Sequence, residues 1–399
     1  MDIKIVIGKS FGDEGKGLAT DHFAGSAFDR GEPCLVIRHN GGAQAGHTVD
    51  LSSGRFVFHQ LSSGSFRHAD TLWADTFLPD LYKLPEELAD FRDANGALVR
   101  LLAFGNCRCV TIDDVLLNMA LESRRGENRH GSCGMGINEA VTRSAHPEFA
   151  LTLDAVKGMS CETLYRELRR IRRDYLPLRL HELGIKKAVP GEYGELMADD
   201  NVLQNAARGM LDGTRYVGRA EPGELQKYGA VIFEGAQGLL LDEYRLEFAP
   251  HLTTSRTGLY NPLRLMKTLF DAESAEAVYV TRSYVTRHGN GRLPHEGEGE
   301  CAALRISDLT NVPNEWQGSL RLAPHGSAEE FLAPVLEDSE GAKVSRSLLI
   351  THLNETDGRI LTVNGALSLG EFRSEYHIDK YFDRLYLSYS RFSEEIVLR

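Results

Sequence analysis

The sequence predicts an α/β fold, P-loop-like at its start, with a mostly parallel central sheet flanked by helices and carrying inserted helical segments. Three observations predict it. Short β-branched runs recur along the chain, several of them end in glycine-rich polar turns, and apolar residues then return at helical spacing. No internal repeat, low-complexity tract or long Pro/Ser linker divides the 399 residues. Residues 1–399 therefore read as one domain, with insertions at about 75–100 and 155–225.

Residues 3–8, IKIVIG, are β-branched enough for a buried parallel strand. The loop SFGDEGKG follows, and a helix begins near residue 15. CLVIRH (34–39) is the next strand and ends in the turn NGGAQAGHT (40–48). FVFHQL (56–61) alternates as a strand, and SSGSF after it is a turn. Residues 113–125, DDVLLNMALESRR, start acidic and continue at helical spacing. Residues 160–184 read as a long basic amphipathic helix interrupted at Pro177, whose arginines face solvent, a phosphate or a partner subunit. AVIFEGAQGLLLDE (230–243), AVYVTRSYVTRHGNG (277–291) and SLLITHLNE (347–355) each run from an apolar strand into a polar turn, and LYLSYSRF (385–392) adds a strand near the end.

The net charge of −12 argues against general affinity for nucleic acid or anionic membrane, which need a positive field, but leaves room for a local basic pocket. No apolar run approaches the roughly 18–20 residues of a membrane span, and residues 1–9 lack the cationic start and cleavage site of a secretory signal, so a cytoplasmic location is expected. The six cysteines include no C-x-x-C pair and read as reduced thiols. Cys107 and Cys109 have no nearby histidines at ligand spacing, which argues against zinc.

The opening turn carries the chemistry. Gly12, Gly15 and Gly17 let backbone N–H groups approach phosphate oxygens, the helix start adds partial positive charge, and Lys16 adds a full one. Asp13 is repelled by phosphate unless something offsets it; it can ligate Mg²⁺ or take a proton from a substrate about to be phosphorylated. His47 closes the second glycine turn and can donate a hydrogen bond or a proton to phosphate. Glu234 and Gln237 lie in the third turn, where Gln237 can meet a purine or phosphate edge.

GDEGKG (12–17), NGG-x-x-AGHT (40–48), FEGAQG-x-LLD (233–242) and TR-x-G-x-G-x-x-P-x-E (286–296) occur in the order and approximate spacing of the adenylosuccinate synthetase family, which the chain resembles from about residue 3 to residue 399. The resemblance implies a two-step ligation in purine biosynthesis. The γ-phosphate of GTP moves onto O6 of IMP, and the amine of L-aspartate then displaces it. By resemblance Asp13 is the base on purine N1 and a Mg²⁺ ligand, with the Gly46 carbonyl also touching the metal. His47 is the acid, Lys16 and Mg²⁺ stabilise the transferring charge, Gln237 pairs with the purine, and Thr253 binds phosphate. Arg143 corresponds to an arginine that crosses a homodimer interface to the nucleotide phosphate. The chemistry is coherent, because O6 is a poor nucleophile until N1 is deprotonated, and phosphate leaves C6 far more readily than hydroxide.

Three departures leave choices open. The family's guanine-reading T-K-x-D is THLN here, so His352 and Asn354 stand where the base is read and ATP becomes an alternative to GTP. The family's aspartate-binding loop is rich in arginine, and its counterpart at 309–319 has none, which opens the identity of the amine donor. Gln44 replaces an asparagine, Ser132 and Cys133 replace a Thr-Thr pair, and Met135 replaces an arginine, which opens the acceptor. The alternatives are a ligase using ATP with another acceptor, such as a guanine deoxynucleotide, or another amine; a non-catalytic nucleotide-binding paralogue; and a P-loop switch GTPase. Asp13, Lys16 and His47 together favour a ligase, since a pure binder needs no acid–base pair. A switch GTPase needs a Ser or Thr where Gly17 stands.

Overall fold

The computed structural model describes residues 1–126, 134–185, 189, 191–302, 304, 306 and 319–399. The main sheet has ten strands: β1 (Asp2–Gly8), β2 (Cys34–Arg38), β3 (Asp70–Trp73), β4 (Leu101–Ala103), β5 (Val217–Arg219), β6 (Ala230–Gly238), β7 (Ala275–Arg282), β8 (Val344–Thr351), β9 (Arg384–Leu387) and β10 (Val397–Leu398). Their order is β10-β9-β8-β7-β1-β6-β2-β3-β4-β5. Only β10 runs antiparallel to its neighbour; the expected mostly parallel α/β sheet is what the chain forms.

Period-two alternation explains how β1 sits at the centre. Ile3, Ile5 and Ile7 point into one core, with Leu35, Ile37, Phe233 and Tyr279. Val6 points into the other, with Val36, Ile232, Val278 and the helix α1 (Lys16–Asp29), which contributes Leu18, Ala19, Phe23, Ala24 and Ala27. A strand covered on both faces needs apolar residues at nearly every position, which IKIVIG supplies.

The chain goes from β1 to one side of the sheet for β2 and later to the other for β7 and β8. At such a switch point the loops leaving the strands' carboxyl ends splay apart and open a crevice. The three glycine turns all leave that edge, after β1, after β2 and at the end of β6.

Several sequence expectations change in detail. The strand over 56–61 is Gly54–Phe58, and it pairs antiparallel with His47–Leu51 outside the main sheet. Its Phe56 and Phe58 join an aromatic cluster with Phe66 and Phe91, which holds the hairpin against the body. The basic helix is two, Cys161–Asp174 and Leu176–Glu182, with Pro177 in the first turn of the second. Some of its arginines are used within the chain: Arg172 bridges to Asp113 at 2.8 Å and Arg179 to Glu139 at 2.7 Å. Among the described residues no helix is long and apolar enough to cross a membrane.

Candidate active site

The crevice is a cleft of about 1600 Å³. The β1 turn forms its floor. Gly12 and Gly15 both have φ of 94°, a left-handed backbone that favours glycine. A side chain at Gly15 would also press on Thr351, with its Cβ 3.1 Å from Thr351 Cγ2. Gly15 caps α1 without a side-chain partner, so the first-turn amides and the positive end of the helix face the cleft. Gly17 lines the cleft too, and a Cβ there would lie 2.8 Å from the Thr48 carbonyl, so α1 packs closely on the His47–Leu51 strand.

Lys16 is buried, and burial pushes its ammonium pKa down against the pull of Glu14, Asp13 and Glu234. Glu14 is buried beside it, accepts from Ser10 N at 2.6 Å, and is pushed up to about 7 by burial, with Lys16 opposing. Asp13 sits at φ 56°, and its carbonyl accepts from Arg282 Nε at 2.5 Å. Its carboxylate is 30% exposed in the cleft, with His288 Nε2 3.6 Å from Oδ2.

His47 lines the same cleft from the β2 turn. Its Nδ1 donates to Glu234 Oε1 at 2.8 Å, which leaves Nε2 as the nitrogen that can meet a substrate. Glu234 is fully buried; it also accepts from Ser63 Oγ and from Ser63 N at 3.3 Å, and Arg38 Nε lies 3.7 Å from Oε2. Burial alone would raise this carboxyl, but His47, Arg38 and the hydrogen bonds hold it well below the usual range, so it is ionised. Burial pushes the His47 imidazole the other way, downwards to about 4 against the pull of Glu234, so it is neutral at pH 7.

At the end of β6, Gln237 has φ 65° and lies over Gly12, where a Cβ would be 3.5 Å from its Oε1. The second and third turns are tied together by Asn40, whose side chain donates to Ala236 O at 3.0 Å and accepts from Ala236 N at 2.7 Å. Gln44, Gly46 and Thr253 line the cleft beside them, and Gln44 Oε1 is buried without a hydrogen-bond partner among the described residues. Beyond β8 the cleft continues along His352, Asn354, Glu355, Ser390 and Arg391. His352 takes a left-handed φ of 58°, and its Nδ1 is 2.8 Å from Thr351 Oγ1.

The cleft thus gathers Asp13, Gly15, Lys16, Gly17, Gln44, Gly46, His47, Gln237, Thr253, His352 and Asn354, although they come from five separate stretches of sequence, while Gly12 packs against Gln237 and is not part of the lining. Arg143 does not join them. It is 1% exposed, forms an ion pair with Asp114 at 2.8 Å, and donates to the carbonyls of Phe149 and Cys109 at 2.6 and 2.8 Å. In this single chain the guanidinium is thus paired within its own subunit and is not among the residues that line the cleft. Ser132 and Cys133, and the arginine-free stretch at 309–318, lie outside the described residues.

Sequence reading gave no role to Arg282, Arg287 and His288, which also line the cleft. The quoted TR-x-G motif contained two of them. Arg287 stacks over Phe11 at 4.5 Å and donates to the carbonyls of Arg292 and His251, at 2.7 and 3.0 Å.

Comparison with known proteins agrees with this fold. The family model of adenylosuccinate synthetase matches residues 5–316. Adenylosuccinate synthetase of Thermoplasma acidophilum is 29% identical over 76% of this chain and 66% of its own length, and that of Halothermothrix orenii is 27% identical over 74% and 65%. The chain therefore spans slightly under two thirds of the length of these relatives. In solved structures the fold recurs in a fully ligated adenylosuccinate synthetase from Plasmodium falciparum, with TM-score 0.69, 15% identity and full coverage of both chains. It recurs also in a cyanophage S-2L succinoaminodeoxyadenylate synthetase bound to dGMP and dATP as an energy donor, with TM-score 0.61, 16% identity, and coverage of 99% of this chain and 95% of that one. With four motifs in order, three glycine turns converging at one sheet edge and a family match over most of its length, the chain belongs to the adenylosuccinate synthetase family.

Proposed function

We propose that the protein is a C–N bond-forming ligase that phosphorylates O6 of a purine nucleotide, IMP in the first instance, from a nucleoside triphosphate, and then replaces the phosphate with an amine, L-aspartate in the first instance. The observation that carries this reading is that a carboxylate, an ammonium and an imidazole, those of Asp13, Lys16 and His47, line one cleft at the start of a helix.

Asp13 takes the N1 proton, which makes O6 a competent nucleophile. Lys16 and the first-turn amides of α1 hold the transferring phosphoryl group and spread its charge. His47, fixed through Nδ1 by Glu234, meets that group with Nε2. An arriving anion raises the imidazole pKa, so His47 gains a proton only when there is a phosphate to receive it. Gln237 and Thr253 orient the acceptor, with Gln44 beside them.

Among the described residues no group of three or more His, Cys, Asp or Glu side chains is arranged to hold a metal ion. One cleft-facing carboxylate fits Mg²⁺ shared with substrate phosphates, which rarely uses an all-protein cage. Asp13 and the Gly46 carbonyl would hold it, and when bound it would neutralise phosphate charge.

A second reading changes the co-substrates. The base end offers Asn354 where a carboxylate would accept from guanine N1–H and N2–H; an amide both donates and accepts, as adenine requires. ATP with a guanine deoxynucleotide acceptor fits this better, and the cyanophage relative was solved with dGMP and dATP. Purified protein with Mg²⁺ and a panel of purine monophosphates, triphosphates and amino acids tests both readings by phosphate release and product mass. Release only in the presence of an acceptor supports a ligase. Acceptor-independent release points to a switch GTPase, and no release with any acceptor points to a nucleotide-binding paralogue.

A further inference from the structure

His288 takes no part in the reaction as written, yet it lines the cleft opposite Asp13. Its side chain is 12% exposed, and neither ring nitrogen has a hydrogen-bond partner among the described residues. Nε2 stands 3.6 Å from Asp13 Oδ2, just beyond hydrogen-bond length. The backbone on both sides is fixed. Arg321 Nη1 donates to the carbonyls of Gly289 and Gly291, each at 2.9 Å, and Thr286 Oγ1 donates to the Gly12 carbonyl at 3.4 Å. The ring therefore faces the phosphate turn from a braced loop, and a small side-chain rotation closes the gap. A covered imidazole without partners carries a desolvation cost that only a later contact repays. Catalytic hydrogen bonds commonly shorten when substrate arrives.

We propose that His288 is a positioning residue for Asp13: Nε2–H donates to Oδ2 and turns Oδ1 toward the proton that leaves the purine. A carboxylate on a left-handed residue, 30% exposed, has no other side-chain hydrogen bond or ion pair among the described residues to fix its rotation before Mg²⁺ binds. The proposal rests on the reading of Asp13 as the base.

The test compares His288→Leu, His288→Gln, His288→Asn, Asp13→Ala and the Asp13→Ala/His288→Leu double variant in acceptor-dependent phosphate release. Leucine keeps the bulk but not the donor, and kcat is expected to fall by about tenfold or more, within the roughly 10²–10⁴-fold worth of a general base, with KM for the triphosphate little changed. Glutamine puts its amide nitrogen near the place of Nε2 and restores most of the rate; asparagine is too short and does not. In the Asp13→Ala background, His288→Leu adds no further loss, because the two act as one unit. Wild-type rates in His288→Leu, or an equal loss with Asp13 already gone, would overturn the assignment. If the leucine variant does not fold, equal rates for glutamine and asparagine would do the same. Wild-type protein with no acceptor-dependent release would overturn the proposed reaction itself, and this role with it.

Discussion

Changing Glu234 to glutamine probes the buried charge that anchors the imidazole of the cleft. The carboxylate is 0% exposed and meets His47, Ser63 and Arg38, the last also 0% exposed. Glutamine keeps the shape but removes the charge and converts one acceptor oxygen into a donor. Arg38 then loses its counter-charge, and either His47 or Ser63 faces another donor. Neutralising one member of a buried pair costs about 3–5 kcal/mol, of which an unpartnered donor accounts for roughly 1–3. Urea unfolding followed by circular dichroism at pH 7 should register that loss. Turnover should fall as well, by about 10²-fold or more, the scale of a positioned proton donor, with nucleotide KM nearly unchanged. A stability loss under about 1 kcal/mol, the worth of an exposed pair, would refute the account of the buried cluster. Unaltered turnover would remove His47 as the acid.

Other expectations follow from the same geometry. Asp13→Ala should lower acceptor-dependent phosphate release by at least about 10²-fold while leaving triphosphate binding intact, as read by equilibrium titration. Arg143→Leu should cost about 3–5 kcal/mol of stability by stranding Asp114; an unchanged KM for the acceptor would mark a purely structural residue, and a selective rise a contact with substrate. Asn354→Asp should move the GTP-to-ATP ratio of kcat/KM toward GTP by roughly 10- to 100-fold, since a hydrogen bond to a charged group is worth about 1.5–3 kcal/mol. Burial holds the imidazoles of His39 and His325 down to about 3, so both are neutral in the folded protein but take up protons when unfolded below their ordinary value of 6.5. Their stabilisation is complete above that value and is lost as pH falls toward 3. Between pH 7 and 5 each should remove about 2 kcal/mol of unfolding free energy, and His39→Phe should remove its share of the slope.

The central strands and the turns that leave them were legible because a doubly covered parallel strand must be apolar at consecutive positions, and the phosphate turn must be glycine-rich. β3, β4 and β5 left no such mark. They are four, three and three residues long, too short for alternation to separate from neighbouring helix. In the site, motif spacing found the residues that meet at the strand ends. Arg143 is not among the residues that meet there, because a chain position says nothing of whether a guanidinium is paired with a carboxylate such as Asp114. His288 could not be singled out at all, since its interest lies in a distance to Asp13 across 275 residues of sequence.

Strand β6 hydrogen-bonds to β1 on one side and β2 on the other, and carries both Glu234, which anchors the imidazole, and Gln237, which overlies the phosphate turn. A slip of one residue along that ladder would displace the anchor of His47 and the side chain of Gln237 together, so the two positions in the cleft are set by one register. The rim is under no such constraint. Gln44, His352 and Asn354 line the cleft from connections outside the main sheet, which can change while the three strands beneath stay in step.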